Sequence, residues 1–374
     1  MSFYKELRRY NWEEVRQSIY RKTPAEVERA LGKDWPDLED FKALLAPAAD
    51  AFLEPMAQQS AALTRRRFGR TMQLYLPLYL SSFCENRCVY CGFSGSNPIR
   101  RKVLNEEEIL AEVRTIKQEP FRHLLLVTGE APQKAGTAYL EQVLRLLQPA
   151  FSQLSLEVQP LDTDDYTRLA EARLHAVYVY QETYKEAAYP QYHPFGRKAN
   201  FRYRLETPDR LGAAGIRKVG LGTLIGLEDW RTEAWFTALH LQYLRRRYWQ
   251  SRYSLSFPRL RPFAGEGFQP RVLTNERNLT QLICAYRLFD ADVELSLSTR
   301  ERPAYRDGVV PLGITALSAG SKTGPGAYSG NHELEQFAVN DERNPREVAE
   351  MLRRQGFEPV WKDWEPCLQQ ATTL

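Results

Sequence analysis

Eight short apolar runs, each leading toward a stretch of helical periodicity, constrain this chain more than any other feature of its sequence. The runs span 74–80, 123–127, 154–158, 176–180, 218–225, 253–257, 294–298 and 314–318. Between them apolar residues recur every three or four positions over 106–118, 139–147, 164–174, 207–214, 230–248 and 275–289. Asn105 followed by Glu108 is a capping box that opens the first of these helices. Strands alternating with helices form parallel sheets, and eight such units suggest an α/β fold closed as a (β/α)8 barrel of the TIM type. The residues just past the strand candidates support closure. They are polar or charged at 81–84 (SSFC), 128–130 (TGE), 181–183 (QET), 258–262 (PRLRP), 299–301 (TRE) and 321–322 (SK). In a barrel these ends meet on one face, where the chemistry sits.

The first 70 residues read differently. Helical patterns cover 13–20 and 24–31, a longer helix is expected over 37–58, and a basic stretch at 62–69 ends the segment. The expected organisation is an N-terminal helical extension at 1–70, a barrel core at 71–340, and a C-terminal helix and tail at 341–374 packing on the barrel. With 51 basic and 47 acidic residues the net charge is only +4, which does not point to nucleic acid. No apolar run reaches the ~18 residues of a membrane span, and the charged N-terminal residues lack the apolar core of a signal peptide. A cytoplasmic protein is expected.

Three of the five cysteines crowd into one loop, Cys84-Glu85-Asn86-Arg87-Cys88-Val89-Tyr90-Cys91. Three thiolates at this spacing can bind three irons of a [4Fe–4S] cluster. Cys284 and Cys367 are isolated in sequence, and the nearest His, His123, lies beyond the next helix. A three-ligand cluster leaves one iron open to a small molecule. The alternatives are a zinc knuckle completed by a distant His or Asp, which would make the chain a binding scaffold, or three ordinary buried thiols. The strand before and the helix after the loop favour the cluster.

Cys84, Cys88 and Cys91, with Tyr90, resemble the signature of the radical S-adenosylmethionine superfamily. The resemblance implies that the open iron chelates S-adenosylmethionine and that the protein orients this cofactor and excludes water. Thr128-Gly129-Glu130 resembles the superfamily's glycine–glutamate motif, with Thr in place of the first Gly, and implies Glu130 as ligand of the methionyl amine. By the same resemblance Glu182 suits the ribose hydroxyls and Arg204 the methionyl carboxylate. The segment 222–226 (GTLIG), with Leu224, suits the adenine, which Tyr90 also contacts.

The likeness extends further. YLPLYLSSFCENRCVYCGFSGSNPIRRK, LLLVTGE, VYQETY, RLETPDRLGAAGI, VGLGTLIGLEDW, ELSLSTRE and PVWKDW, in this order, resemble the tyrosine lyases of anaerobic thiamin synthesis, the 2-iminoacetate synthases. That implies cleavage of the Cα–Cβ bond of L-tyrosine to 2-iminoacetate and 4-cresol. The implied partners are a thiazole synthase that takes the imine and an electron donor such as flavodoxin. A related radical lyase acting on another aromatic amino acid, such as tryptophan, is the alternative. An Arg fork with a hydroxyl suits an amino-acid carboxylate. Arg300 with Ser318 or Ser298 is the first choice, and Arg259 and Arg261 are the alternative. The basic stretches 65–67 and 245–247 are solvated helix faces or a docking surface for an acidic donor. None of His123, His175, His193, His240 and His332 is assigned a role. A relative in hydrogenase maturation carries a second cluster on C-terminal cysteines. Here only Cys367 lies in that region, so a single cluster is expected.

Overall fold

The computed structural model describes residues 2–262, 268–330 and 335–361, so His332 and Cys367 fall outside the described residues. Its centre is a ring of eight parallel strands: β1 (Thr71–Ser81), β2 (His123–Thr128), β3 (Gln153–Glu157), β4 (Ala176–Tyr178), β5 (Lys218–Gly222), β6 (Arg252–Ser256), β7 (Glu294–Leu297) and β8 (Ala316–Ser318). Each pairs with the next, and β1 closes the ring by pairing with both β2 and β8. The expected barrel is present. The fourth and fifth strands end before their apolar runs do, where the chain leaves the sheet to build the mouth, and the eighth begins at Ala316, two residues into its run.

The side-chain alternation of β1 shows how the barrel divides its interior from its wall. Leu74, Leu76, Leu78 and Leu80 pack into the apolar core beneath the helices. Tyr75, Pro77 and Tyr79 point the other way and line a central cavity. At the opposite end from the mouth the interior is filled by polar pairs. Lys218 Nζ reaches Glu294 at 2.7 Å, His123 Nε2 meets Ser155 Oγ at 3.0 Å, and Gln73 Nε2 donates to Gln153 at 3.1 Å. This layer is the floor on which the cavity stands.

A short ninth strand, β9 (Glu358–Val360), was not expected. It pairs with β1 from Thr71 to Gln73, on the edge of β1 that β2 reaches only from Leu76 onward. Three residues containing Pro359 give too little pattern to be read as a strand.

The helix expected over 37–58 is broken. It ends at Leu45, a 3-10 turn spans Pro47–Phe52, and a second helix runs over Leu53–Phe68. Pro47 causes the break, since the residue before a proline is pushed out of the helical region, and Ala46 has ψ 155°. The extension runs along the outside of the barrel. Trp235 Nε1 donates to Leu38 O at 3.0 Å, Arg231 Nε to Leu45 O at 2.8 Å, and Gln281 Nε2 to both Leu44 O and Ala46 O. Phe3 stacks on His240 with ring centres 3.7 Å apart.

Behind β8, the guanidinium of Arg306 is fully buried. It pairs with Asp341, also fully buried, and donates to Ser318 O at 2.5 Å. Arg343 clamps the same Asp341 at 2.7 Å and Asp307 at 2.8 Å. Removing one partner of a buried pair leaves a charge with no compensation. Asp341→Asn is therefore expected to cost about 3–5 kcal/mol and lower the melting temperature by several degrees. The check is a thermal denaturation compared with Arg353→Gln on the outer helix face, which should melt like the parent.

Candidate active site

The cysteine loop leaves the end of β1, and Arg101 gathers its two ends. Arg101 Nη1 donates to Ser82 O at 2.7 Å and Phe93 O at 2.9 Å, and its Nη2 donates to Ser94 O at 2.6 Å. Carbonyls from both ends of the loop thus share one guanidinium, which fixes the span between Cys84 and Cys91. Gly129, at the end of β2, lies against this loop. A Cβ there would fall 2.2 Å from Phe83 O and 3.1 Å from Cys84 Cβ, so only glycine allows the approach.

The three thiols sit in a desolvated pocket. Burial raises Cys84 to about 11 and pushes Cys88 and Cys91 up as well. Thiols so placed stay protonated unless a metal displaces the proton. Among the described residues, no group of three His, Cys, Asp or Glu closes on a point that would hold one metal ion. Three thiols on one loop, Cys88 buried and Cys84 and Cys91 half-buried, with Cys91 opening into the central cavity, fit a cluster held from one side.

Next to the loop lies a chain of four buried charges. Arg204 Nη1 donates to Glu130 Oε1 at 2.7 Å, and its Nη2 lies 3.7 Å from Glu182 Oε1. Lys198 Nζ donates to the same Glu182 oxygen at 2.7 Å. Asn86, inside the cysteine loop, ties in both ends. Its Nδ2 donates to Glu130 Oε2 at 2.7 Å and its Oδ1 accepts from Lys198 N at 2.9 Å. Burial would push the Glu130 carboxyl up, but Arg204 and Lys198 beside it hold it below the ordinary carboxylate range.

Glu182 adopts φ +70°, a left-handed backbone that costs a non-glycine residue free energy. The segments around it hold it there. Leu224 N donates to Glu182 O at 2.9 Å, and Glu233 accepts from both the Thr183 hydroxyl and Tyr184 N.

The cavity at the mouth holds about 1050 Å3 of empty space, counted out to its opening. Of the residues singled out in the sequence, Tyr90, Cys91, Glu182, Leu224, Arg300 and Ser318 line it. Glu130 and Arg204 sit behind its wall. Thr128 and Gly129 serve as backbone, with Gly129 N donating to Ser81 O at 2.9 Å. Arg300 extends into the cavity with its guanidinium 3.4 Å from the centre of the Phe337 ring. Its side chain makes no ion pair or hydrogen bond with the described residues. Ser318 Oγ accepts from Thr299 N at 3.1 Å, and its hydroxyl also lies against the Tyr75 side chain. Ser298 lines the cavity too, with its Oγ accepting from Arg300 N at 3.4 Å.

The alternative pair of arginines splits. Arg259 does not face the cavity. It pairs with Glu301 and donates to Thr274 O at 2.8 Å, so it closes the wall. Arg261 does line the cavity. The basic stretches lie at the other end of the barrel, near the start of β7. Arg67 pairs with Asp292 at 3.2 Å and Arg245 with Asp290 at 2.7 Å, far from the cysteine loop along the strand direction.

Lys198, Asn86, Gln336, His193 and Glu157 escaped sequence reading. Gln336 accepts from Tyr79 OH at 2.7 Å and directs its amide toward Cys91 Sγ at 3.8 Å. Tyr90 OH meets His193 Nε2 at 2.7 Å. Only the position of Glu157 at the end of the third apolar run gave a signal.

Residues 78–237 match the radical SAM superfamily, and residues 256–358 match the biotin and thiamin synthesis associated domain. The chain is 52% identical over 367 residues to the 2-iminoacetate synthase of Escherichia coli (strain K12), covering 98% of this chain and 97% of the relative. Among solved structures it is similar to HydG, a maturase of the [FeFe]-hydrogenase, with a TM-score of 0.89 and 28% identity over 96% of this chain and 81% of that one. It shares its fold with methylornithine synthase (PylB), with a TM-score of 0.72, 19% identity, and coverage of 92% of this chain and 99% of that one.

The contact at Gly129 makes a prediction independent of turnover. Gly129→Ala should push the cysteine loop away and lose most of the iron bound on anaerobic reconstitution, while its circular dichroism stays that of the parent. Normal iron binding in this variant would contradict the placement of the loop.

Proposed function

The chain belongs to the 2-iminoacetate synthases of the radical S-adenosylmethionine superfamily, and from that membership we propose how its barrel mouth performs the reaction. It is a carbon–carbon lyase of thiamin biosynthesis. The substrate is L-tyrosine, and the products are 2-iminoacetate, 4-cresol, 5′-deoxyadenosine and methionine. Cys84, Cys88 and Cys91 hold one [4Fe–4S] cluster. When bound, this cluster supplies the electron that cleaves S-adenosylmethionine.

The protein's own groups do the rest. Glu130 accepts the methionyl amine and Arg204 donates to the methionyl carboxylate, so a ligand carrying both charges enters where these two side chains meet. Glu182 accepts from the ribose hydroxyls. Tyr90 and Leu224 pack on the adenine, and Thr128 and Gly129 hold the backbone approach. Arg300 and Ser318 bind the carboxylate of tyrosine, the guanidinium giving two parallel donors and the hydroxyl a third. The walls keep water from the reacting carbons.

The observation that carries this reading is Arg300, a half-buried guanidinium with no anion among the described residues, in the same cavity as Cys91. A partly desolvated charge without a partner is costly, and an incoming carboxylate relieves it.

The extension at 1–70, the barrel at 71–340 and the segment at 341–374 work as support, reaction chamber and closure. The imine product hydrolyses readily, which favours direct transfer to a thiazole synthase. The electron donor is of the flavodoxin kind. Both would be met in the cytoplasm, and no described helix is long and apolar enough to cross a membrane.

The test is an anaerobic incubation of the reconstituted enzyme with S-adenosylmethionine, reductant and L-tyrosine. 4-Cresol and 5′-deoxyadenosine are expected in matching amounts. 5′-Deoxyadenosine without 4-cresol would redirect the reading to another aromatic amino acid such as tryptophan. Arg300→Met should raise the KM for tyrosine by about tenfold to a hundredfold, the worth of a hydrogen-bonded charge, with S-adenosylmethionine binding unchanged.

A further inference from the structure

The cavity holds a second charged group without a partner, and its sign is opposite to that of Arg300. Glu157 ends β3 and lines the same cavity. Its carboxylate makes no hydrogen bond or ion pair with any described residue. Burial pushes its carboxyl up to about 7, with Arg300 the largest opposing influence. Yet Glu157 and Arg300 do not pair with each other. Each feels the other's charge across the cavity, and neither reaches it.

The other acidic groups near the mouth are already engaged. Glu130 and Glu182 share Arg204 and Lys198. Glu301 is taken by Arg259. The groups facing Glu157 are Tyr75 and Tyr79 of β1, Tyr178 of β4, Tyr180 and Glu182 beyond it, Lys198 and Arg204 of the following segment, and Arg300 beyond β7. No residue among them supplies a hydrogen bond to its carboxylate.

An α-amino acid brings both charges that this cavity lacks, a carboxylate and an ammonium. We propose that Glu157 is the acceptor for the α-ammonium group of the amino-acid substrate and takes one of its protons. This rests on the reading of the cavity as an amino-acid site with Arg300 at the carboxylate. In the step an N–H bond breaks, its electron pair stays on nitrogen, and an O–H bond forms on Glu157; nothing is oxidised or reduced. The chemistry of the product requires such a step. The nitrogen enters as an ammonium and leaves as an imine, so it sheds a proton as well as a hydrogen atom. A carboxylate held in a desolvated cavity beside a cation is suited to receive that proton near neutral pH.

The experiment compares ligands that differ at one end. Binding to the reconstituted enzyme with S-adenosylmethionine is measured anaerobically by calorimetry for L-tyrosine and for 3-(4-hydroxyphenyl)propanoate, which lacks the amino group. The parent should bind the desamino acid about tenfold to a hundredfold more weakly, because it leaves Glu157 unpaired. Glu157→Gln, with normal iron content, should weaken tyrosine and leave the desamino acid nearly unchanged, so the gap narrows. Glu157→Asp should recover part of it. Tyrosine binding by the parent should also weaken as pH falls through about 7, where the carboxyl becomes protonated, and Glu157→Gln should lose that dependence.

Equal weakening of both ligands in Glu157→Gln would overturn the proposal, as would a parent that does not distinguish them. A parent that ignores tyrosine but binds another aromatic amino acid through Glu157 would sink the tyrosine reading and keep this one.

Discussion

The mouth of the barrel depends on the buried chain Glu130–Arg204–Glu182–Lys198. Its members come from three stretches of backbone: Glu130 from the end of β2, Glu182 from the turn after β4, and Lys198 and Arg204 from the segment that precedes β5. Asn86 joins this chain to the cysteine loop at both ends. Charges in so little water hold their positions only when matched, and unmatching one costs about 3–5 kcal/mol. The network therefore does what a metal ligand set cannot do alone. It fixes where the thiols stand relative to the cavity and holds Glu182 in its left-handed backbone.

The central cavity uses the opposite principle. Arg300 and Glu157 are half-buried and pair with none of the described residues, and the structure bears that cost where a ligand would relieve it. Matched charges build the wall beside the cysteine loop, and unmatched charges face the open cavity. Arg259 shows that this distinction is real, because the adjacent arginine in the same segment is consumed by Glu301 and leaves the cavity to Arg261 and Arg300.

Much of this was legible in the sequence, for physical reasons. Parallel strands buried on both faces read as apolar runs, and all eight were found. The cysteine spacing could be read from chemistry that needs three thiols on one short loop, whereas the Gly129-Glu130 pair, Glu182 and Arg204 were singled out by the family resemblance, and the structure brings Glu130, Glu182 and Arg204 together. What stayed hidden depends on tertiary closure. Lys198 and Asn86 look like surface residues until the segment 195–205 folds back over the cysteine loop. Arg101 reads as one more charge in a basic stretch, yet it fastens that loop. β9 carries too few residues for a pattern. The break at Pro47 was readable in principle, since the proline was in plain view, and the apolar periodicity on either side masked it.

The central claim is that three thiols of one loop hold a cluster whose remaining iron faces the cofactor. Electron paramagnetic resonance of the reduced, reconstituted protein with and without S-adenosylmethionine tests it most directly. The account predicts a [4Fe–4S]+ signal that changes when S-adenosylmethionine is added and keeps changing in Arg300→Met, which affects only the substrate end. A signal indifferent to S-adenosylmethionine, or a colourless protein that retains zinc, would contradict it.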